Sequence, residues 1–138
     1  MGAWDVSVFG NDDAADYSYE FDDAGSLAEI SAILERAMDV VLQESDEIDA
    51  ADGAVGLAAA ALVIAWDQPE LLGDDAAYAP EPWPKVSGTL DAAIGAKAKS
   101  VFKRMQSVQD NEWAELWDES QQIDQYLAEI QRWESVLR

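Results

Sequence analysis

The chain has 138 residues, 49% of them hydrophobic, and carries 29 Asp and Glu against 8 Lys and Arg, a net charge of −21 with no His and no Cys. That length suits one domain burying about two-thirds of the surface its unfolded chain exposes, and the missing residue types exclude disulfides, thiolate nucleophiles, His-based triads and Cys- or His-ligated transition metals. So negative a charge also excludes direct binding of nucleic acid, which rests on Lys and Arg neutralising phosphates.

Residues 1–10 begin with Trp4, Val6 and Val8 alternating with Asp5 and Ser7 before Phe9. This is the pattern of a short extended arm with one apolar face, and with no second strand-like run to pair with, the arm is expected to lie across helices. It lacks the basic start and long apolar stretch of a signal peptide, and Val6 stands where N-myristoylation needs Ser or Thr. A first helix starts at Asn11, a good N-cap, with Asp12 and Asp13 in the turn where the helix dipole favours negative charge; Ala14, Tyr17 and Phe21 share its inner face. A second starts at the capping box Ser26-x-x-Glu29 and carries Leu27, Ile30, Leu34, Met38, Val41 and Leu42 as one stripe.

The third helix is expected to start near Ser45 or Asp46. From Ala54 to Trp66 it is apolar on every side, too short for the roughly 20 residues that span a bilayer, and so reads as the buried central helix. Gly53, Gly56 and the alanines at 58–61 let neighbours approach it closely. All four prolines fall in 67–85, a long connection expected to run partly as polyproline II from Ala79 to Pro84. A fourth helix over about 90–108 turns Ile94, Ala98, Val101, Phe102 and Met105 inward. A fifth runs over about 112–137 with Trp113, Leu116, Trp117, Ile123, Leu127 and Ile130 on its apolar side, and a break at Ser120, capping a second piece, would give a sixth. The sum is an all-α bundle of five or six helices in a single domain, 1–138.

The opening Met1-Gly2-Ala3-Trp4, then Phe9, Asn11-Asp12-Asp13-Ala14 and Asp16-Tyr17, resembles a bacterial family known as domain of unknown function 4259. The later Glu115-Leu116-Trp117 and Glu119-Ser120 are similar to its second block. Asp5 and Ser7 depart from the pattern, standing where the family has glycines. The resemblance implies a bacterial, cytoplasmic single domain and carries no activity or catalytic residue with it.

The charge is unevenly spread. Residues 1–84 hold 13 Asp and 7 Glu against Arg36 alone, −19, whereas residues 85–138 come to −2. Lys97, Lys99, Lys103 and Arg104 make the fourth helix locally basic. Asp12, Asp16 and Glu20 fall at i, i+4, i+8, where each like-charge pair costs about 0.2–0.5 kcal/mol. The first expectation is that the fourth helix pairs with them. As a cation site, Asp12, Asp13, Asp16 and Glu20 are the candidates, since hard cations take several carboxylate oxygens. Asp46, Asp49 and Asp52 imitate a calcium loop, but Ile48 occupies a ligand position, and their spacing of three suggests one face of the third helix. Glu112, Glu115, Asp118 and Glu119 show spacings seen in helical Mg²⁺-dependent hydrolases, which chance also produces in so acidic a chain.

There is no phosphate-binding or dinucleotide glycine motif, and no catalytic residue or cofactor is assigned. Of six tryptophans, Trp4, Trp83 and Trp133 have positions that do not force them inside, and tryptophan is enriched in binding hot spots. The leading reading is a non-enzymatic interaction module, immunity- or regulator-like, that offers Asp12, Asp16, Glu20 and these tryptophans to a basic protein partner, with no direct nucleic acid and no membrane involved. The alternatives are a divalent-metal-dependent hydrolase using helix carboxylates, a nucleic-acid mimic, and an adaptation to high salt.

Overall fold

The computed structural model describes residues 6–43, 46–72, 79–80 and 82–136. Among them run six α-helices: α1 (Asp12–Ser18), α2 (Leu27–Gln43), α3 (Ala50–Ala65), α4 (Ala92–Met105), α5 (Glu112–Glu119) and α6 (Ile123–Glu134), with 3₁₀ turns at Tyr19–Phe21 and Pro69–Leu71. The protein is all-α. Its centre is α3, whose residues 56–65 are buried without interruption and on which α1, α2, α4 and α5 all pack. Such a helix has no polar face to give to water, so its small residues decide how near its neighbours come. A Cβ on Gly56 would collide with the Val41 side chain of α2, and one on Gly53 would lie 2.8 Å from Met105 Cε of α4 and 3.1 Å from Trp113 Cβ of α5.

The predicted start of α3 is displaced. Ser45 lies outside the described residues, and Ile48 is drawn out of the helix by a parallel bridge to Asn111. Its N–H donates to Asp110 O at 2.8 Å, and Glu112 N–H donates to Ile48 O at 2.9 Å. The helix begins only after Asp49, so Asp46, Asp49 and Asp52 do not share one helical face.

The far end of α3 is stapled by two indoles. Trp66 N–H reaches Val63 O at 3.3 Å, tightening the last turn, and Leu62 O accepts instead from Trp83 Nε1 at 2.9 Å. Trp66 Nε1 in turn donates to Gly88 O at 2.9 Å. Trp83 packs edge-to-face on Phe21 and Trp66, with centroids 5.2 and 5.4 Å apart. The connection is therefore tied to the core at both Trp83 and Gly88. Its described parts are a 3₁₀ turn and bends rather than the expected polyproline run; residues 73–78 and 81 lie outside the described residues.

Local chemistry fixes the remaining ends. The Ser26–Glu29 box forms, Glu29 N–H donating to Ser26 Oγ at 3.1 Å and the hydroxyl to Glu29 Oε1 at 3.0 Å. Asn11 Oδ1 accepts from Ala14 N–H at 2.8 Å, and Asn111 repeats the device on Ala114 N–H at 3.2 Å. Both asparagines are buried and satisfy their amide groups on carbonyls, Asn11 on Val8 O and Asn111 on Ser107 O.

The break after α5 is a Schellman motif. Gln121 N–H donates to Asp118 O and Gln122 N–H to Trp117 O, at 3.1 and 2.7 Å, with Gln121 at φ 64°. Ser120 closes α5, its hydroxyl donating to Trp117 O at 3.2 Å; it does not cap α6, whose N-cap is Gln122.

The N-terminal arm is not extended where described: Gly10 N–H donates to Ser7 O at 3.1 Å, making a turn that buries Val8 and Phe9 together. That turn is seated on α6. Glu129 Oε2 accepts from Val8 N–H at 3.0 Å and from Trp133 Nε1 at 3.3 Å, while Arg132 pairs with the same carboxylate and lies 4.8 Å over the Trp133 ring.

Three substitutions at these positions are read by urea unfolding. Gly56→Ala overpacks the contact of α2 with α3 and lowers stability by about 1–3 kcal/mol, whereas Gly95→Ala in α4, where a Cβ meets nothing within 4 Å, raises it by about 0.5–1 kcal/mol. Gln121→Gly removes a left-handed backbone cost of about 1–2 kcal/mol, offset in part by glycine's greater chain entropy, and raises stability.

Candidate functional site

Helix α1 presents its charges outward because Ala14, Tyr17, Ser18 and Phe21 take the inner face. Tyr17 anchors that face, its hydroxyl donating to Ile33 O at 3.1 Å and its ring meeting Phe21 edge-on at 5.2 Å. Burial, and then the charge of Glu20, push the Tyr17 phenol far above its ordinary pKa, so it acts as a neutral donor. On the outer face Asp12, Asp16, Glu20, Asp22 and Asp23 are exposed, and Asp13 half-buried. Tyr19 stands among them with 69% of its surface exposed, an aromatic in water that sequence periodicity did not single out.

The expected pairing of these acids with the basic fourth helix does not occur. Lys97 Nζ lies 2.8 Å from Glu35 Oε2 and 2.9 Å from Asp39 Oδ1, both on α2, and these hydrogen bonds raise its pKa. The reason is position: α4 packs on α2 and α3, while α1 packs on α3. Lys99 and Lys103 are exposed, and Arg104 donates to the carbonyls of Gln109 and Asp110 at 3.1 and 3.0 Å. Among the described residues, Asp12, Asp13, Asp16 and Glu20 form no ion pair.

The structure does not bring the candidate cation ligands Asp12, Asp13, Asp16 and Glu20 to one point, and among the described residues no three acids are placed to hold a metal ion. The carboxylates at hydrolase-like spacing are divided too. Glu112 Oε1 accepts from Ala50 N–H at 2.9 Å, capping α3, while the charge of Glu115, first among its causes, raises the Glu47 carboxyl above its ordinary value. A cleft of 220 Å³ between the end of α3 and the start of α4 is lined by Trp66, Leu90 and Val136. Asp67 and Gln68 also border it, and its Asp91 is occupied in capping α4 through Ala93 N–H at 2.9 Å.

Two of the three tryptophans expected to meet a partner require correction. Trp83 and Trp133 are buried with their indole N–H groups bonded internally, because the connection and α6 turn them into the core. Trp4 lies outside the described residues. What sequence reasoning missed is Tyr19, Asn111 and the effect of Glu115 on the Glu47 carboxyl. The repeated Asn-acid-x-Ala at residues 11–14 and 111–114 was the available signal for Asn111; the other two depend on tertiary placement.

The family described as Domain of unknown function (DUF4259) matches residues 2–129. No curated protein and no solved structure matches the chain. The matched span ends at the carboxylate that holds the N-terminal turn. Glu129→Ala, which strips the Val8 N–H and the Trp133 indole of their acceptor, lowers stability by about 1–3 kcal/mol. It also speeds amide exchange at Val8 ahead of the α3 amides, as measured by hydrogen exchange.

Proposed function

We propose, for a chain that belongs to the family of domain of unknown function 4259, a non-enzymatic role in which the outer face of α1 and its 3₁₀ extension meets a basic surface on another protein in the cytoplasm of a bacterium. The observation that carries this reading is the choice made by Lys97. The basic helix neutralises Glu35 and Asp39 on α2 and leaves Asp12, Asp16 and Glu20 exposed and without ion pairs among the described residues. A partner bearing Lys and Arg would supply these exposed carboxylates with the ion pairs that the described residues do not give them.

Tyr19 supports the same reading, since an exposed ring gives a guanidinium or ammonium a face to stack on and tyrosine is enriched at interfaces. Electrostatics of this kind accelerates encounter and selects the partner's sign more than it adds affinity. An immunity or regulatory factor fits such behaviour: it must find one basic partner quickly and needs no chemistry of its own.

Affinity capture at low ionic strength tests the proposal, with the wild type beside an Asp12→Asn, Asp16→Asn, Glu20→Gln triple variant. A partner retained at about 0.1 M salt is expected to be lost near 1 M, where the screening length falls from about 10 Å to about 3 Å, and to be lost from the triple variant at either salt. Failure to retain a partner, or retention indifferent to salt and to the triple substitution, overturns the reading.

A further inference from the structure

We propose that the cleft between the end of α3 and the start of α4 binds a small organic ammonium ion, with its apolar body against the Trp66 wall and its charge beside Asp67 and Asp91.

At one wall of this cleft a side chain is missing. The space measures 220 Å³ and Gly95 of α4 lies in its lining. A Cβ on Gly53 or Gly56 would press on a neighbour, whereas one on Gly95 would meet nothing within 4 Å. Glycine inside a helix costs about 0.5–1 kcal/mol against alanine, and at Gly95 no close approach of another element requires it. The other walls are fixed in place. Val63, Ile64 and Trp66 at the end of α3 are buried, and Leu90 and Val136 complete the apolar lining. The Trp66 ring is held by its Nε1, which donates to Gly88 O at 2.9 Å, and by edge-to-face packing on Trp83 at 5.4 Å. A site whose walls are already ordered loses little conformational freedom when a ligand enters.

The charges around the cleft have one sign. Asp67 and Asp91 border it, and none of its described lining residues is Lys or Arg. Asp67 is exposed and forms no ion pair among the described residues. Asp91 gives Oδ1 to Ala93 N–H, which leaves Oδ2 without a donor among the described residues. The last carbonyls of α3 add the negative end of its dipole, while the positive end of α4 is already met by Asp91. Such a field repels anions. A bare metal ion would leave the apolar walls unused, and among the described residues no three acids are placed to hold one. A cation that carries its own apolar body matches both features. The volume sets its size: an apolar cavity of about 150 Å³ holds a benzene ring, and pockets for drug-sized ligands start at about 300 Å³. The cleft therefore suits one ring bearing a short ammonium arm. This reading does not depend on the partner proposed for α1.

Titration of the full chain with phenethylammonium chloride tests it, followed by NMR at the Leu90, Ala92 and Gly95 amides. Saturable shifts are expected at these amides, with phenethyl alcohol binding several-fold more weakly and neither phenylacetate nor ammonium chloride producing saturation. Gly95→Leu, which fills the cleft, should abolish the saturable shifts while urea unfolding shows the fold retained. Asp67→Asn should weaken binding of the ammonium probe several-fold and leave phenethyl alcohol unaffected, and it decides the matter should Gly95→Leu fold poorly. Asp16→Asn, on the remote α1, should bind as the wild type does, which separates the cleft from the general negative charge. Absence of saturable shifts with the ammonium probe, phenylacetate binding as tightly as that probe, or binding unchanged by both Gly95→Leu and Asp67→Asn overturns the proposal.

Discussion

A helix that is apolar on every side can exist in water only if other helices surround it, and α3 imposes that condition on the rest of the chain. Four helices pack on it, each needing an inner face matched to glycine and alanine rather than to bulk. The stripes of α2 and α4 supply the bulk from outside, with Val41 and Met105 reaching into the places where Gly56 and Gly53 have no side chain. Backbones that approach this closely gain dispersion contacts over their length but leave no slack. The ends of α3 are accordingly tied by directional bonds: Ile48 and Glu112 at its start, the Trp83 and Trp66 indoles at its finish.

Much of this was legible in the sequence wherever the cause was local. The capping box at Ser26 and Glu29, the N-cap at Asn11, the buried run in α3 and the inward positions of α4 each depend on residues within a few places of one another, and each forms as the pattern predicts. The departures share a different origin. Ile48 leaves the helical pattern because its partners stand 62 and 64 positions away at Asp110 and Glu112. Lys97 turns to α2 because helix packing, not sequence order, decides which acids it reaches. Trp83 sits in a connection without periodicity, so nothing nearby in sequence marks it as core.

The candidate site was less legible than the fold for the same reason. Sequence spacing showed that Asp12, Asp16 and Glu20 fall on one side of a helix but not whether a cation from elsewhere covers that side. The answer depended on the register between α4 and α2. Tyr19 escaped notice because its neighbours Tyr17 and Phe21 carry the helical pattern, and only the switch to a 3₁₀ turn fixes how far the intervening ring stands out. Of the acids, Glu112 belongs to architecture, Glu35 and Asp39 to the internal ion pairs, and the α1 set to the surface.

The contact between Val8 and Glu129 joins residues 121 positions apart, and closing a loop of that length costs about 4 kcal/mol in chain entropy. A chain made from its N-terminus cannot form this contact until α6 has emerged and docked. The turn at residues 7–10 must therefore wait for α6. Until then Val8, Phe9 and Trp133 lack their burial partners, so an interrupted chain that stops before residue 129 leaves apolar side chains uncovered near its start. The Val8–Glu129 bond thereby distinguishes a chain that includes α6 from one that lacks it.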